Sequence, residues 1–442
     1  MNSKILFEKT SPTKLFFIAS VPGVISMLAS ALYGLIDGIF VGQILGTTAF
    51  AALNLAFPFV IINFSLADLI GAGSAVPIAI RLGMKQDKEA NNLFTCACMM
   101  IVATGTVVGI ILYIAAPVLI GILGTEGELA DLSIQYIRVY ALCSPVTTIV
   151  FAMDNYLRIC GKIRLSMGLN ILMAVISMAL EFFLLYVLKW GIWAAALATC
   201  FGMFVCVLWA LYPFVRGRLQ LRFCKPHFKA CIIRQIIACG SPNFLNNIAG
   251  RITSILINFV LLRLGGEKSI SIYGILMYTG DFIQPLLYGV CDSLQPAIGY
   301  NWGAGNRSRV KAIEKRCFVA SAVISLLSAA AIFLFPVRIA GLFIPNSDIE
   351  LIKISIVALR LFSLTYITRW FSFATQSYMT AVDKPLQASL ISVSTALIFP
   401  VFWVVTLWPL ELNGIWLNFA GTSMLAAILA AGVLLHFRKK VI

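Results

Sequence analysis

Charge and histidine are the scarce commodities of this chain. Lys, Arg, Asp and Glu together make up 12% of its 442 residues, about half of the roughly 25% found in soluble domains. Only two histidines occur, His227 and His436, and both lie in basic stretches. That scarcity speaks against zinc or haem chemistry. The eleven cysteines form no CxxC pair, and "CAC" at 96–98 lacks the paired ligands of a zinc site. Most lie in apolar runs, where Cys behaves as a small hydrophobe. DDxxD, HExxH and GxSxG are missing too, and with them the paired catalytic groups of an integral membrane enzyme. The glycines of "GAGSA" (71–75) have no GK[ST] after them, so they are not a phosphate loop. No enzyme, cofactor or resident metal is expected.

What the chain has instead is apolar surface. Hydrophobic residues make up 60% of it, and the mean hydropathy is +0.96. A spanning helix needs about 20 mostly apolar residues. About twelve runs meet that length, from 15–42 through 235–263 and 269–301 to 412–436. The expected fold class is an all-α integral membrane protein. The start "MNSKILFEKTSPTK" carries charge on both sides of a short apolar stretch and does not read as a cleaved signal.

The formal net charge of +15 raises the possibility of nucleic-acid binding, but its placement argues against it. Bases gather at both ends of the chain and in alternate loops: Lys85/Lys88, Arg158/Lys162/Arg164, Arg216 to Arg234 and Arg307 to Arg316. The loops between, such as "GTEGELAD", "PNSDIE" and "WPLELNG", are acidic or nearly free of bases. This alternation follows the positive-inside rule, which places both termini in the cytoplasm.

The polar stretch 216–234 divides the spans six and six. The chain thus reads as an N-lobe over 1–215 and a C-lobe over 235–442, joined by that basic linker. Similar segments recur at an offset of about 219–222 residues. "LGTTAFAAL" (45–53) resembles "LGGEKSISI" (264–272), and "PIAIRLGMKQDKEANN" (77–92) resembles "PAIGYNWGAGNRSRVKA" (296–312). Six spans per repeat give both halves the same orientation, as in the parallel repeats of secondary transporters.

Against this apolar background each buried acid needs a reason, since a charge at mid-bilayer costs about 2.5–3.5 kcal/mol. Ser26, Ser30, Tyr33 and Asp37 fall on one face of the first span. Ser166, Asn170, Ala174, Ser177 and Glu181 do the same on the fifth. Thr199 lies in a small-residue face of the sixth, "AAALAT". Two carboxylates with hydroxyls are hard oxygen ligands, suited to an alkali cation or a shared proton. A structural hydrogen-bond knot is the plainer alternative. Asp68 is a third acid of the first half. In the second half Asn247, Arg251, Ser254 and Asn258 repeat the first-span spacing, while Asp281, Asp292 and Arg369 add charges. Two bases and two acids among apolar helices point to paired charges, with a substrate-facing or gating role as the alternative.

Taken in order, "LIDGIFVGQILG", "FAALNLAFP", "RLGMKQDKEAN", "YLRICGKIRLSM", "GIWAAALAT", "GGEKSISIYGI" and "LQPAIGYNWGAGNRSRV" resemble the multidrug and toxic compound extrusion (MATE) family, over essentially the whole chain. The likeness is to the bacterial clade that includes the staphylococcal multidrug exporter. It implies twelve transmembrane helices in two pseudo-symmetric six-helix lobes forming a V, in the bacterial inner membrane. It also implies export of small molecules, often bulky, cationic and aromatic, against Na+ or H+, with no nucleic-acid partner. A monomer in the lipid bilayer is expected. Family members with an N-lobe cation site use a first-helix acid, a fifth-helix Asn–Asp pair and a sixth-helix Thr. These positions fall on Asp37, on Ser177 and Glu181, and on Thr199. A second family pattern, a C-lobe Glu and Asp, is missing: those positions fall near Asn246 or Asn247 and near Arg369. A flippase or exporter of an anionic lipid-linked or endogenous compound is the alternative, kept open by Arg251, Arg360 and Arg369.

Overall fold

The structure, a computed structural model, describes residues 4–343 and 349–441. Most of the acidic stretch "PNSDIE" lies outside them. Every regular element among the described residues is helical, as hydrocarbon requires of a chain that must satisfy its own backbone. Eleven helices are long and apolar enough to cross a membrane. In chain order they are α1 (Pro12–Leu45), α2 (Thr47–Gly83), α3 (Asp87–Ile122), α4 (Glu128–Ile159), α5 (Ile163–Val187) and α6 (Ile192–Val215), then α7 (Ala230–Gly266). After the intervening helix α8 (267–303) come α9 (Arg307–Leu334), α10 (Glu350–Ala381), α11 (Pro385–Thr406) and α12 (Trp408–Lys440).

Helix α8 corresponds to the expected eighth span, yet it is not one of the eleven. It continues from α7 directly after Gly266, whose positive φ of 63° breaks the helical path. Asp281, Gln284, Asp292 and Gln295 dilute its apolar residues.

The chain divides into two compact units. The first comprises residues up to Ser11, Ile25–Gly240 and Gly299–Asn306; the second comprises Pro12–Val24, Ser241–Ile298 and the chain from Arg307 onward. The boundaries thus fall inside helices: the start of α1 packs with the second unit and the end of α8 with the first. The basic linker belongs to the first unit and is laid along α3. There the Arg222 and His227 backbone N–H groups donate to Asn91 Oδ1 (2.9 Å) and Asn92 Oδ1 (2.7 Å), and Leu219 and Leu221 are buried.

The repeat is visible in the backbone itself. Left-handed residues occur as Gly46 and Gly266, Lys85 and Gly305, Gly161 and Asp383, and Lys189 and Glu411. Each pair is offset by about 220 residues. Side-chain-free helix contacts recur at the same offset. A Cβ on Gly83 would lie 2.0 Å from the Tyr300 carbonyl oxygen, and one on Gly303 would lie 2.0 Å from that of Ile80. Within the first unit Gly240 packs on the Leu69 backbone. In the second, Gly289 packs on that of Val24. Such approach is the small-residue packing of membrane helices, where contact rather than the hydrophobic effect holds helices together.

Deep in the first unit sits one fully bonded charge cluster. Arg158, read from sequence as a loop base, is 4% exposed. Its Nη2 lies 2.8 Å from Asp154 Oδ2, and its Nε donates to Ser166 Oγ at 3.2 Å. Ser166 Oγ and Asn170 Nδ2 both donate to Asp154 Oδ1. The polar stripe expected along α5 is therefore split: Ser166 and Asn170 serve Asp154, and Ser177 and Glu181 lie elsewhere. Asp68 lies within electrostatic reach of Asp154.

Three variants test this packing. Gly83→Val forces a side chain into backbone of α8, so folded, monodisperse protein should be lost on size-exclusion chromatography. Gly250→Ala, where a Cβ meets nothing within 4 Å, should raise the melting temperature slightly, in line with a helix-propensity gain of about 1 kcal/mol. Arg158→Met leaves the half-buried Asp154 without its counter-charge, a loss of about 1–3 kcal/mol, to be read as a lowered melting temperature in detergent.

Candidate functional site

The second acidic position in the first unit is built in the opposite way. Asp37 lies near the end of α1 and Glu181 near the end of α5. Asp37 is 8% exposed and Glu181 fully buried. The two carboxyl groups are neighbours within interaction range. No donor stands in hydrogen-bonding geometry at Asp37 Oδ1 or at either Glu181 oxygen. Among the described residues neither acid joins an ion pair.

Local backbone geometry sets them side by side. Both helices change to a π-helical turn just beyond the acid, at Val41–Leu45 in α1 and at Phe183–Val187 in α5. The two turns pack against each other. A π-turn adds a residue to the helical circuit and rotates the residues beyond it, and such bulges cluster at functional positions. Nothing in the residue pattern marks them. The rings of Phe40 and Phe182, with centroids 5.9 Å apart, close the same contact.

A hydroxyl shell surrounds the acids. The Tyr33 hydroxyl is hydrogen-bonded to Thr199 Oγ1, and Thr199 Oγ1 also bonds the Ala195 carbonyl at 3.2 Å. Tyr33 lies within electrostatic reach of both carboxyl groups. So does Tyr136 of α4, whose ring is 5.1 Å from that of Tyr140. Sequence reading missed Tyr136 and Tyr140. They sit on one face of α4 four residues apart, a spacing indistinguishable from ordinary core packing. Ser177 is buried and its Oγ has no hydrogen-bond partner. It lies over Gly202 of α6, where an added Cβ would come within 2.2 Å of it. The pocket's surroundings are otherwise apolar, with Val41, Leu184, Leu185 and Ala194–Ala196 in the adjoining core.

Two neighbouring carboxyl groups in such a place cannot both stay charged and unbonded, because an unpaired buried charge costs many kcal/mol. They need a proton or a cation between them. The oxygens present are hard donors that fit Na+. Among the described residues no group of three His, Cys, Asp or Glu forms a multivalent metal site.

The counterpart in the second unit has lost this chemistry. The place of Glu181 is taken by Trp403, whose ring packs on Gly421, the counterpart of Thr199: a Cβ there would fall 2.6 Å from Trp403 Cε2. Asn258, the counterpart of Asp37, donates to the Ser254 carbonyl. Of the other charges, Asp292 accepts hydrogen bonds from Gln295 Nε2 (2.8 Å) and Ser377 Oγ (3.0 Å). Asp281 lies within electrostatic reach of Arg251 and Arg369, but no ion pair joins these three among the described residues. Asn247, Arg251 and Asp281 are exposed and Arg369 half-buried, so the pairing expected of these charges is replaced by an open polar patch on α7, α8 and α10.

Comparison with known proteins agrees with this architecture. A family model described as MatE matches residues 22–183 and 242–405, one match in each half. The multidrug export protein MepA of Staphylococcus aureus (strain MSSA476) is 24% identical over 404 residues, which cover 90% of this chain and 88% of MepA. MepA of Staphylococcus saprophyticus is 24% identical over a stretch of the same length. Among solved structures, a MATE protein in complex with MaL6 superposes with a TM-score of 0.92 at 23% identity, covering 99% of this chain and 98% of that one. A MOP superfamily transporter from Pyrococcus furiosus, described as having a binding pocket of reverse polarity, gives 0.91 at 23% identity, over 98% and 97%. With one match in each half, together spanning most of the chain, and the fold shared from end to end, the chain belongs to the MatE family of membrane transporters.

Proposed function

We propose that the chain is a secondary active antiporter of the bacterial plasma membrane, with both termini in the cytoplasm. It exports bulky compounds, cationic or aromatic, in exchange for Na+ or H+. The observation that carries the coupling role is the Asp37–Glu181 pair: two buried, neighbouring carboxyl groups with no hydrogen-bond partner at Asp37 Oδ1 or at either Glu181 oxygen, and no ion pair among the described residues. The likeness to MepA supports the cargo.

In this mechanism a cation or proton entering between Asp37 and Glu181 removes their repulsion and draws α1 and α5 together at their π-turns. Tyr33, held by Thr199, moves with α1. Loss of the cation lets the turns separate. Export requires only that cation and cargo bind with negative coupling through this two-state element. Ser177 and Thr199 supply neutral oxygens.

A second reading, export or flipping of an anionic lipid-linked or endogenous compound, is favoured by the second unit. Charged groups exposed on membrane spans must face water or protein, and Arg251 and Arg369 exceed Asp281 by one positive charge without pairing to it. A carboxylate or phosphate fits that excess.

Proteoliposomes with a fluorescent cationic dye separate the two. A Na+ or a pH gradient should drive dye movement by the wild type. Asp37→Asn and Glu181→Gln should each reduce gradient-driven movement at least about tenfold, within the usual range of coupling energies, while folded yield is kept. If neither gradient moves dye, the antiport reading fails. Inhibition by an anionic compound that is lost in Arg369→Gln would then support the second.

A further inference from the structure

Beside the sites described, the second unit holds a groove of about 570 Å³ between α11 and α12. It is lined by Lys384, Gln387 and Leu390 on one side and by Leu429, Gly432, Val433, His436, Phe437 and Lys440 on the other. The lining is ordered along its length. On one side the lining runs from Lys384, just before α11, to Leu390 within it, and on the other α12 runs from Leu429 toward Lys440. Both place their polar lining residues at one end of the groove and their aliphatic ones at the other. At 1.5 Å per residue the α12 wall is about 16 Å long.

The basic end has no acidic lining residue. Arg438, on the next face of α12, is already paired with Glu314 at 2.8 Å. The first turn of α11, which begins at Pro385, adds the positive end of a helix dipole there. At the middle of the groove Gly432 leaves the wall open: a Cβ there meets nothing within 4 Å. The aliphatic end opens outward, with Leu390 half-exposed. By the positive-inside rule the basic end lies at the cytoplasmic surface.

We propose that this groove is a binding site for an anionic glycerophospholipid of the cytoplasmic leaflet. The phosphodiester sits among Lys384, Gln387, His436 and Lys440, and one acyl chain lies over Gly432 along Leu390, Leu429 and Val433. Charge complementarity selects the headgroup, and the gradient from basic to aliphatic lining selects a lipid over a soluble anion. His436, assigned from sequence to a basic loop, thereby becomes a headgroup donor at the end of a spanning helix.

The test titrates delipidated full-length protein in neutral detergent with phosphatidylglycerol and with phosphatidylcholine of the same chains, counting bound lipid by native mass spectrometry. Phosphatidylglycerol should bind the wild type more tightly. Lys384→Gln/Lys440→Gln should weaken it about 30-fold, toward the level of phosphatidylcholine, at about 1 kcal/mol per base. Gly432→Trp keeps both lysines and fills the trough at an open helix position. It should lower binding of both lipids while leaving the lipid-free melting temperature unchanged. Equal binding of the two lipids by the wild type, or unchanged binding in both variants, overturns the proposal. So does displacement of the lipid by inorganic phosphate at comparable occupancy, which would make the groove a site for a soluble phosphate.

Discussion

The cost of holding charge away from water organises this molecule. In hydrocarbon an ion survives beside an opposite charge, in front of water, or by ceasing to be charged. The chain shows the first two. Asp154 and Arg158 bond each other with Ser166 and Asn170 completing the shell, so the cluster is closed and braces α4 against α5. Asp281, Arg251 and Arg369 lie open and unbridged on their unit. Asp37 and Glu181 have neither answer, and that is what distinguishes them. The closed cluster pairs its carboxylate and guanidinium, whereas Asp37 Oδ1 and both Glu181 oxygens have no hydrogen-bond partner.

Much of this architecture is legible in the residues alone. Long apolar runs can only be spanning helices, and the positions of Asp37 and Glu181 as last members of polar stripes identify the acids that lie together. The parallel repeat is readable because turn chemistry is local: Gly46 and Gly266, or Gly161 and Asp383, mark equal places in equal frames. The features that escape a sequence reading are set by tertiary contact. The α5 stripe is continuous in period but serves two different partners, because Asp154 on α4 captures its first half. Arg158 looks like a loop base, since its position beside Lys162 and Arg164 carries no mark of burial. The π-turns, a shift of one residue in hydrogen bonding, leave no residue signature. The eighth span is recognisable by spacing against the repeat, although its polar residues leave it less apolar than the eleven helices that qualify by composition alone.

The two halves show how a repeat divides labour. The same backbone places Glu181 and Thr199 together in one unit and Trp403 and Gly421 in the other. An indole over a glycine fills the volume that a carboxylate and a hydroxyl leave polar. One unit thus holds two buried carboxyl groups where its sister packs a ring on a glycine, and the sister's charges Arg251 and Asp281 lie exposed. The two frames are equal in backbone, and one large ring packed on a glycine marks where their side chains differ.

The glycine contacts between α2 and α8 also impose an order on synthesis. Gly83 and Gly303 lie on opposite sides of the chain's midpoint yet pack within one unit, as do Glu8 and Tyr300, joined at 2.9 Å. The ribosome must therefore pass Asn306 before the first unit can close. Until then six inserted helices wait with bare glycine backbone facing lipid, and the start of α1 waits for a unit not yet made. The halves resemble each other in sequence but are interleaved in the fold, and a chain truncated at the basic linker would lack Gly299–Asn306 and leave the first unit open along its glycine seam.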